Sequence, residues 1–348
     1  MMHRARHPPL APGHIDRPHQ WAHLGDLPLE SGEVIRDYRQ CYVTHGTLDR
    51  RRPRVALLLP AIGATHHRLD FLIGRDRALD PAHWFIVVAD PLGNGLSTSP
   101  SNSKHQPWEA FPRFCIRDMI AAQRRLLTEV LGIETAAVVI GASMGGMQAL
   151  QWTVSHPGFF ESVVALTPLA RTGPWTLAAN AAARAALMAD PAWNGRRFTR
   201  VPERGWRAWA AVQQVLTNRT PRGLAADFAE PRAVLDWMDA LAARACASGP
   251  DPHDFLYQSW AYDAHDVGDT QGWHGDTEGA LGAIHARTLL LTPPLDLYNP
   301  MEEALAAAQR IPRASHVVIP SLQGHQAANT AHPEDVAFVN RTIREFLA

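Results

Sequence analysis

A serine set among small residues directly after an apolar run is the feature of this chain with the clearest chemistry. The stretch 140–146 reads Ile-Gly-Ala-Ser-Met-Gly-Gly, so Ser143 follows the apolar run 136–140 and precedes apolar residues at helical spacing over 144–155. That order predicts a strand, a tight turn and a helix, with the serine on the turn. Such a turn strains the serine backbone and brings neighbouring backbone close, so glycine or alanine is needed on either side. The hydroxyl is then presented at a helix N-terminus. Free N–H groups and the positive end of the helix dipole there favour the negative charge that develops in acyl transfer.

A hydroxyl is a poor nucleophile at neutral pH and needs a base, and the base needs a partner that holds its tautomer. The chain offers both, in the order expected of an α/β-hydrolase, with the acid first and the histidine second, each after a later strand. Residues 287–292 (Arg-Thr-Leu-Leu-Leu-Thr) read as a buried strand running into Pro-Pro-Leu-Asp, which leaves Asp296 in the following loop. Residues 315–320 read as the next strand, and Ser-Leu-Gln-Gly-His places His325 in the loop before a closing helix over 333–347. Ser143, Asp296 and His325 therefore form the candidate catalytic set. Pro293 and Pro294 make the path of the acid's loop hard to read, and Glu302 or Glu303 stays as a distant alternative to Asp296.

An acyl transfer site also needs donors for the oxyanion. The N–H of Met144 is one candidate. The strand 55–59 runs into Pro-Ala-Ile-Gly-Ala, and Ile62 is the candidate for the second; a loop in which Gly63 only turns the chain fits the sequence nearly as well. Further strands are expected at 85–89 and 162–167, and a helix over 115–131. Strands alternating with helices predict an α/β fold with a mostly parallel central sheet. Over 171–283 the strand pattern stops and alanine- and tryptophan-rich helical sequence takes its place. The expected organisation is a flexible arm over 1–26, a core of 27–170 and 284–348, and an inserted helical lid over 171–283. Trp175, Trp193, Trp206, Trp209 and Trp237 read as packing residues of that lid.

Several stretches together resemble the homoserine O-acetyltransferase-like α/β-hydrolases, a family that includes esterases. They are 27–34 (Leu-Pro-Leu-Glu-Ser-Gly-Glu-Val), 44–48, 73–80, 111–120, 141–152, 190–195 (Asp-Pro-Ala-Trp-Asn-Gly) and 262–268 (Tyr-Asp-Ala-His-Asp-Val-Gly). The resemblance implies an acyl-serine on Ser143 formed with Asp296 and His325, and a substrate-binding arginine at Arg184. A solvated arginine on an alanine-rich helix is the alternative for Arg184. It also implies that lids can pair in a homodimer.

Three departures bear on the substrate. Where the transferases usually carry an aspartate after the catalytic histidine, for the ammonium of an amino-acid acceptor, this chain has Gln326. A neutral amide cannot pair a buried ammonium, at a cost on the order of several kcal/mol. Asn218 stands where the transferases carry a lid tyrosine, and the loop 90–102 resembles the esterase members, where transferases read Gly-Gly-Cys. The expectation is therefore a hydrolase of small carboxylic esters, with an acyl-CoA-dependent O-acyltransferase as the alternative and a non-catalytic ligand-binding relative as a third reading. No cofactor is expected; acetyl-CoA or another acyl-CoA enters only as a donor substrate.

Composition fits this enzyme class. The 348 residues are 46% hydrophobic with a formal net charge of -1, enough for a large core and without the basic excess that nucleic-acid binding requires. Arg50-Arg51-Arg52 reads as a solvated turn. No apolar stretch is long enough to span a bilayer, and residues 1–23 lack the apolar centre of a signal peptide. Three scattered cysteines, Cys41, Cys115 and Cys246, suit a reducing cytoplasm. Cys115 is expected in a helix core. His3, His7, His14, His19 and His23 fit no metal-ligand spacing, so a loose or surface-bound arm without metal is the expectation.

Overall fold

The strands that carry the sheet are buried on both faces, and their side chains divide between two hydrophobic clusters with the two-residue period of a pleated strand. In β3 (Val55–Leu59), Val55, Leu57 and Leu59 join one cluster while Ala56 and Leu58 join the other. The same division holds in β4 (Phe85–Ala89), β5 (Ala136–Ala142), β6 (Phe160–Leu166) and β7 (Arg287–Thr292). The chain, as a computed structural model, is described at residues 7, 9–49, 54–329 and 332–348. The turn Arg50–Arg52 and His3 lie outside the described residues.

Eight strands form one sheet in the order β1-β2-β4-β3-β5-β6-β7-β8, closed at the far edge by β8 (Ala314–Val318). From β4 onward all neighbours are parallel, whereas β1 (Gln20–Pro28) and β2 (Val34–His45) pair antiparallel with each other and β2 with β4. This hairpin corrects the sequence reading at two points. The expected arm 1–26 ends at residue 19, because 20–26 belong to β1. Second, β1 and β2 were not legible as strands, since charged and polar residues interrupt their alternation and a half-exposed edge needs no continuous apolar run.

Helices cover both faces. On one lie α1 (Ile116–Arg125) and α2 (Met144–Ser155), on the other α10 (Pro333–Leu347). The expected helix over 115–131 begins one residue later. Cys115 caps it rather than filling its core: the Cys115 N–H donates to Asp118 Oδ2 at 2.8 Å in a capping box. Beyond Arg125 the helix continues through a wider turn, with the Leu131 N–H donating to Leu126 O.

Between β6 and β7 the chain is helical: α3 (Pro174–Met188), α4 (Glu203–Trp209), α5 (Pro221–Asp227), α6 (Ala233–Ser248), α7 (Pro252–Asp263) and α8 (Thr277–Gly282). Leu187, Phe198, Trp206 and Phe255 make a small core of their own. Trp206 fits the packing role, while Trp175 is 58% exposed, so the packing reading fails there. Nor is the whole insertion a separate layer. Tyr257, Ala261 and Tyr262 of α7 belong to the main core.

His265, just after α7, is buried, and burial together with the nearby Arg117 charge pushes its imidazole down to about 3. The unfolded chain takes up that proton near 6.5 and the folded chain does not, so stability is lost as pH falls from about 6.5 toward 3. Thermal melts between pH 7.5 and 4 should show the midpoint falling, and His265→Asn should flatten that fall. The slope removed is at most about 1.4 kcal/mol per pH unit.

Candidate active site

The turn between β5 and α2 holds Ser143 at φ 55°, ψ -118°, a left-handed region that a side chain enters only under constraint. The constraint is visible on both sides. The Ser143 N–H donates to Leu166 O at 2.8 Å, and its carbonyl accepts from Met147 N–H at 3.0 Å. A Cβ on Gly141 would stand 1.9 Å from Gly145 O, and one on Gly145 would stand 1.9 Å from Leu59 O. Both positions thus need glycine, because strand, turn and helix meet backbone to backbone.

His325 reaches the serine from the loop after β8. Its Nε2 lies 2.9 Å from Ser143 Oγ, and its Nδ1 lies 2.7 Å from Asp296 Oδ2. An ionised carboxylate only accepts, so Nδ1 carries the hydrogen and the Nε2 lone pair faces the serine hydroxyl. Asp296 is itself fixed, its Oδ1 accepting from the N–H groups of Tyr298 and Asn299, each at 2.9 Å. All three residues are buried, and Glu302 and Glu303 lie exposed in the first turn of α9 (Met301–Arg310), away from this chain of bonds. Gly324, at φ 58°, lets the loop pass close to Thr220 and Leu295 and turns His325 inward.

Met144 opens α2, so its N–H has no acceptor within the helix and stays a candidate oxyanion donor. In the loop after β3, the Gly63 N–H donates to Gln258 Oε1 at 2.8 Å and the Ala64 N–H to Ala61 O at 3.1 Å. Those two donors are engaged, whereas Ile62, half-buried just before them, stays a candidate in this loop. Gly63 also turns the chain, at φ 65°.

The substrate candidates are placed differently from expectation. Arg184 is buried, not solvated, but its guanidinium is already held: it pairs with Asp263 Oδ2 at 2.5 Å and donates to Ser259 Oγ at 2.7 Å. The Gln326 side chain accepts from Asn329 Nδ2 at 2.8 Å. Asn218 is buried beside Gln213 and Gln214, and its carbonyl lies 3.5 Å from where a Gly324 Cβ would be.

Two tyrosines escaped the sequence reading. The Tyr298 ring stands edge-on to His325 at 5.0 Å, and its hydroxyl donates to Asn180 Oδ1 at 2.5 Å. The Tyr262 hydroxyl donates to Asn299 Oδ1 at 2.7 Å, and so fixes the residue whose N–H holds Asp296. Burial, with Tyr298 adding to it, pushes the Tyr262 hydroxyl well above its usual range, so it stays a neutral donor. The stretch 262–268 carried the only signal for it, as part of a resemblance with no role attached. Tyr262→Phe should keep the fold and lower kcat/KM for an ester by up to about 10²-fold, with KM little changed, in steady-state assays.

A cavity of 960 Å³ lies between the loops after β3 and β4 and the helical insertion, lined by Gly63, Asn94, Leu96, Phe198, Trp206 and His253 among others. It borders the site at Gly63. The serine and histidine are not in its wall, so the arrangement of Ser143, His325 and Asp296, not cavity size, marks the candidate reacting centre.

With that geometry described, the relationships to known proteins fit it. Residues 57–220 match the family model described as alpha/beta hydrolase fold. The chain is 30% identical to the ethyl acetate hydrolase of Pseudomonas veronii over 318 residues, covering 88% of this chain and 89% of that one. It is also 30% identical to the homoserine O-acetyltransferase of Thermobifida fusca over 364 residues, covering 94% and 93%. An acetylester hydrolase structure from Corynebacterium glutamicum superposes with a TM-score of 0.88 at 26% identity, over 95% of this chain and 96% of that one. Fold, length and similarity agree, and the chain belongs to the homoserine O-acetyltransferase-like α/β-hydrolases, a family of ester hydrolases and O-acyltransferases.

Proposed function

We propose that this enzyme hydrolyses small carboxylic esters through an acyl-serine intermediate. In this reading Ser143 Oγ attacks the ester carbonyl as His325 Nε2 takes its proton, and Asp296 holds the tautomer and stabilises the imidazolium. The developing oxyanion is received by the N–H groups of Met144 and Ile62. His325 returns the proton to the leaving alkoxide, and then activates water to release the acid. Three side chains and two backbone donors complete the chemistry, so no cofactor is required.

The observation that carries the choice of water over an amino-acid acceptor is the state of Arg184. An acceptor carboxylate needs a guanidinium with free donors and free charge. Here Asp263 neutralises it and Ser259 takes a further bond. Displacing Asp263 would leave a mostly buried carboxylate with only the Asn180 amide as partner, at a cost of up to about 3 kcal/mol. Gln326 adds no charge for an ammonium. The alternative, O-acyl transfer from an acyl-CoA to a small hydroxyl acceptor, is favoured by the similarity to the Thermobifida fusca transferase over nearly its whole length.

The deciding experiment offers purified enzyme a short-chain p-nitrophenyl ester and acetyl-CoA in parallel, following acyl-serine by intact mass. Turnover of the ester without acylation or thiol release from acetyl-CoA supports hydrolysis. Acylation by acetyl-CoA that persists until a hydroxyl acceptor arrives overturns it.

The reading extends to a homodimer in a reducing, cytoplasmic compartment, with a small ester as the only other partner. Trp175, Leu177, Leu216 and Leu235 of the insertion are exposed, an apolar surface suited to a second copy. Cys41, Cys115 and Cys246 are unpaired thiols, and among the described residues no helix is long and apolar enough to cross a membrane.

A further inference from the structure

The histidines of residues 7–19 were expected to belong to a loose arm whose spacing suits no metal. The structure instead folds that segment back over the body, against His66 and His67 at the start of the turn His66–Leu72 that follows β3. The Ile15 N–H donates to Asp70 Oδ2 at 2.8 Å, and Arg17 Nε to His45 Nδ1 at 3.4 Å. His7 packs against His19, His66 and His67 with ring centroids 4.8, 5.3 and 4.9 Å away, and His19 stands 4.8 Å from His66. Spacing along the sequence could not reveal this, because the fold supplies two of the rings from another segment.

We propose that His7, His19 and His66 bind a divalent transition-metal ion, zinc in its chemistry, that clips the N-terminal segment to the body. Three observations support it. One ring nitrogen from each of these residues lies within 4.8 Å of the others. In a tetrahedral site with Zn–N near 2.0–2.1 Å, ligand nitrogens stand about 3.4 Å apart, so a shift of about 1 Å in side chains on a short segment closes the set.

The second observation is how the rings are oriented from behind. Asp90 Oδ2 lies 2.9 Å from His66 Nδ1 while Asp90 Oδ1 accepts from the His66 N–H at 2.9 Å. Asp70 Oδ2 lies 2.6 Å from His67 Nδ1. Each carboxylate takes the Nδ1 hydrogen and so turns the Nε2 lone pair the other way, the arrangement in which a carboxylate orients a metal-binding histidine.

The third is what those lone pairs meet. Nε2 of His7, His66 and His67 are all buried and without a hydrogen-bond partner. Acceptors gathered without a donor are costly unless a cation joins them. Water can complete the coordination of a three-histidine site. Neutral imidazoles with carboxylates behind them favour zinc over magnesium or calcium, which prefer oxygen.

The test uses the full chain made without a histidine tag and dialysed against a chelator. Zinc titration by calorimetry, with the bound metal counted by mass spectrometry, should give one ion per chain and a higher melting temperature. His66 is bonded into the body, so the decisive variants are His7→Ala and His19→Ala, which touch only the arm side of the cluster. Each should weaken zinc binding at least 100-fold, with the metal-free melting temperature near that of the parent. His14→Ala should leave binding unchanged, because His14 stacks on His67 and its Nδ1 accepts from the Ala11 N–H. Absence of stoichiometric zinc, or binding that survives both His7→Ala and His19→Ala, overturns the proposal.

Discussion

Ser143→Ala should lower kcat/KM for a short-chain p-nitrophenyl ester by about 10⁴- to 10⁶-fold, and abolish the acyl-enzyme peak in intact mass spectra. The size follows from the site acting as a unit: without Oγ, the His325 lone pair has no proton to take, and the oxyanion donors have no covalent adduct to stabilise. Stability should move little. The serine makes one side-chain bond to His325 and sits in a strained conformation, so its loss removes a contact without opening a cavity. A variant that retained more than about 1% of the parent activity would place the nucleophile elsewhere.

Gly145→Ala should be the most damaging small substitution for the fold. The new methyl would meet Leu59 O at 1.9 Å and Pro60 O at 2.8 Å, both backbone atoms of the strand and loop beside α2. Backbone has no rotamer to yield, so α2 must move away from β3. The expected cost is about 3–5 kcal/mol, seen as loss of soluble protein or a melting point lowered by at least about 4 °C. Gly158→Ala is the control. Gly158 has φ 83° with open space around it, so only the backbone conformation is penalised, by about 1–2 kcal/mol. If the two variants melt alike, the close approach of α2 and β3 is not what demands glycine at 145.

Much of this architecture is legible in the sequence because its signals are local. The doubly buried strands around Leu57, Val87, Val139 and Leu290 read as continuous apolar runs. The elbow at Ser143 declares itself through its small neighbours, and the loops carrying Asp296 and His325 follow recognisable strands. The antiparallel hairpin of β1 and β2 was not legible, since Arg36, Asp37 and Arg39 interrupt it. Arg184 was legible as a substrate-binding candidate but its engagement was not, because Asp263 lies 79 positions along the chain. The same limit hid Tyr262 and the histidine cluster: residues far apart in sequence become one group only when the sheet and its loops assemble them.

Helix α7 joins the pieces in a way that bears on how relatives of this enzyme can be recombined. Along one helix, Asp254 accepts from the N–H and hydroxyl of Ser101, Gln258 bonds both Gly63 N–H and Leu92 O, Ser259 holds Arg184, and Tyr262 reaches Asn299. It belongs to the insertion by chain order and to the catalytic body by bonding. A chimera that grafts another relative's entire insertion between β6 and β7 therefore replaces the brace of the loop after β3 along with the pocket roof. A graft that stops before Pro252 exchanges the roof alone, and places the crossover for altering substrate range at the start of α7 instead of at the end of the helical segment.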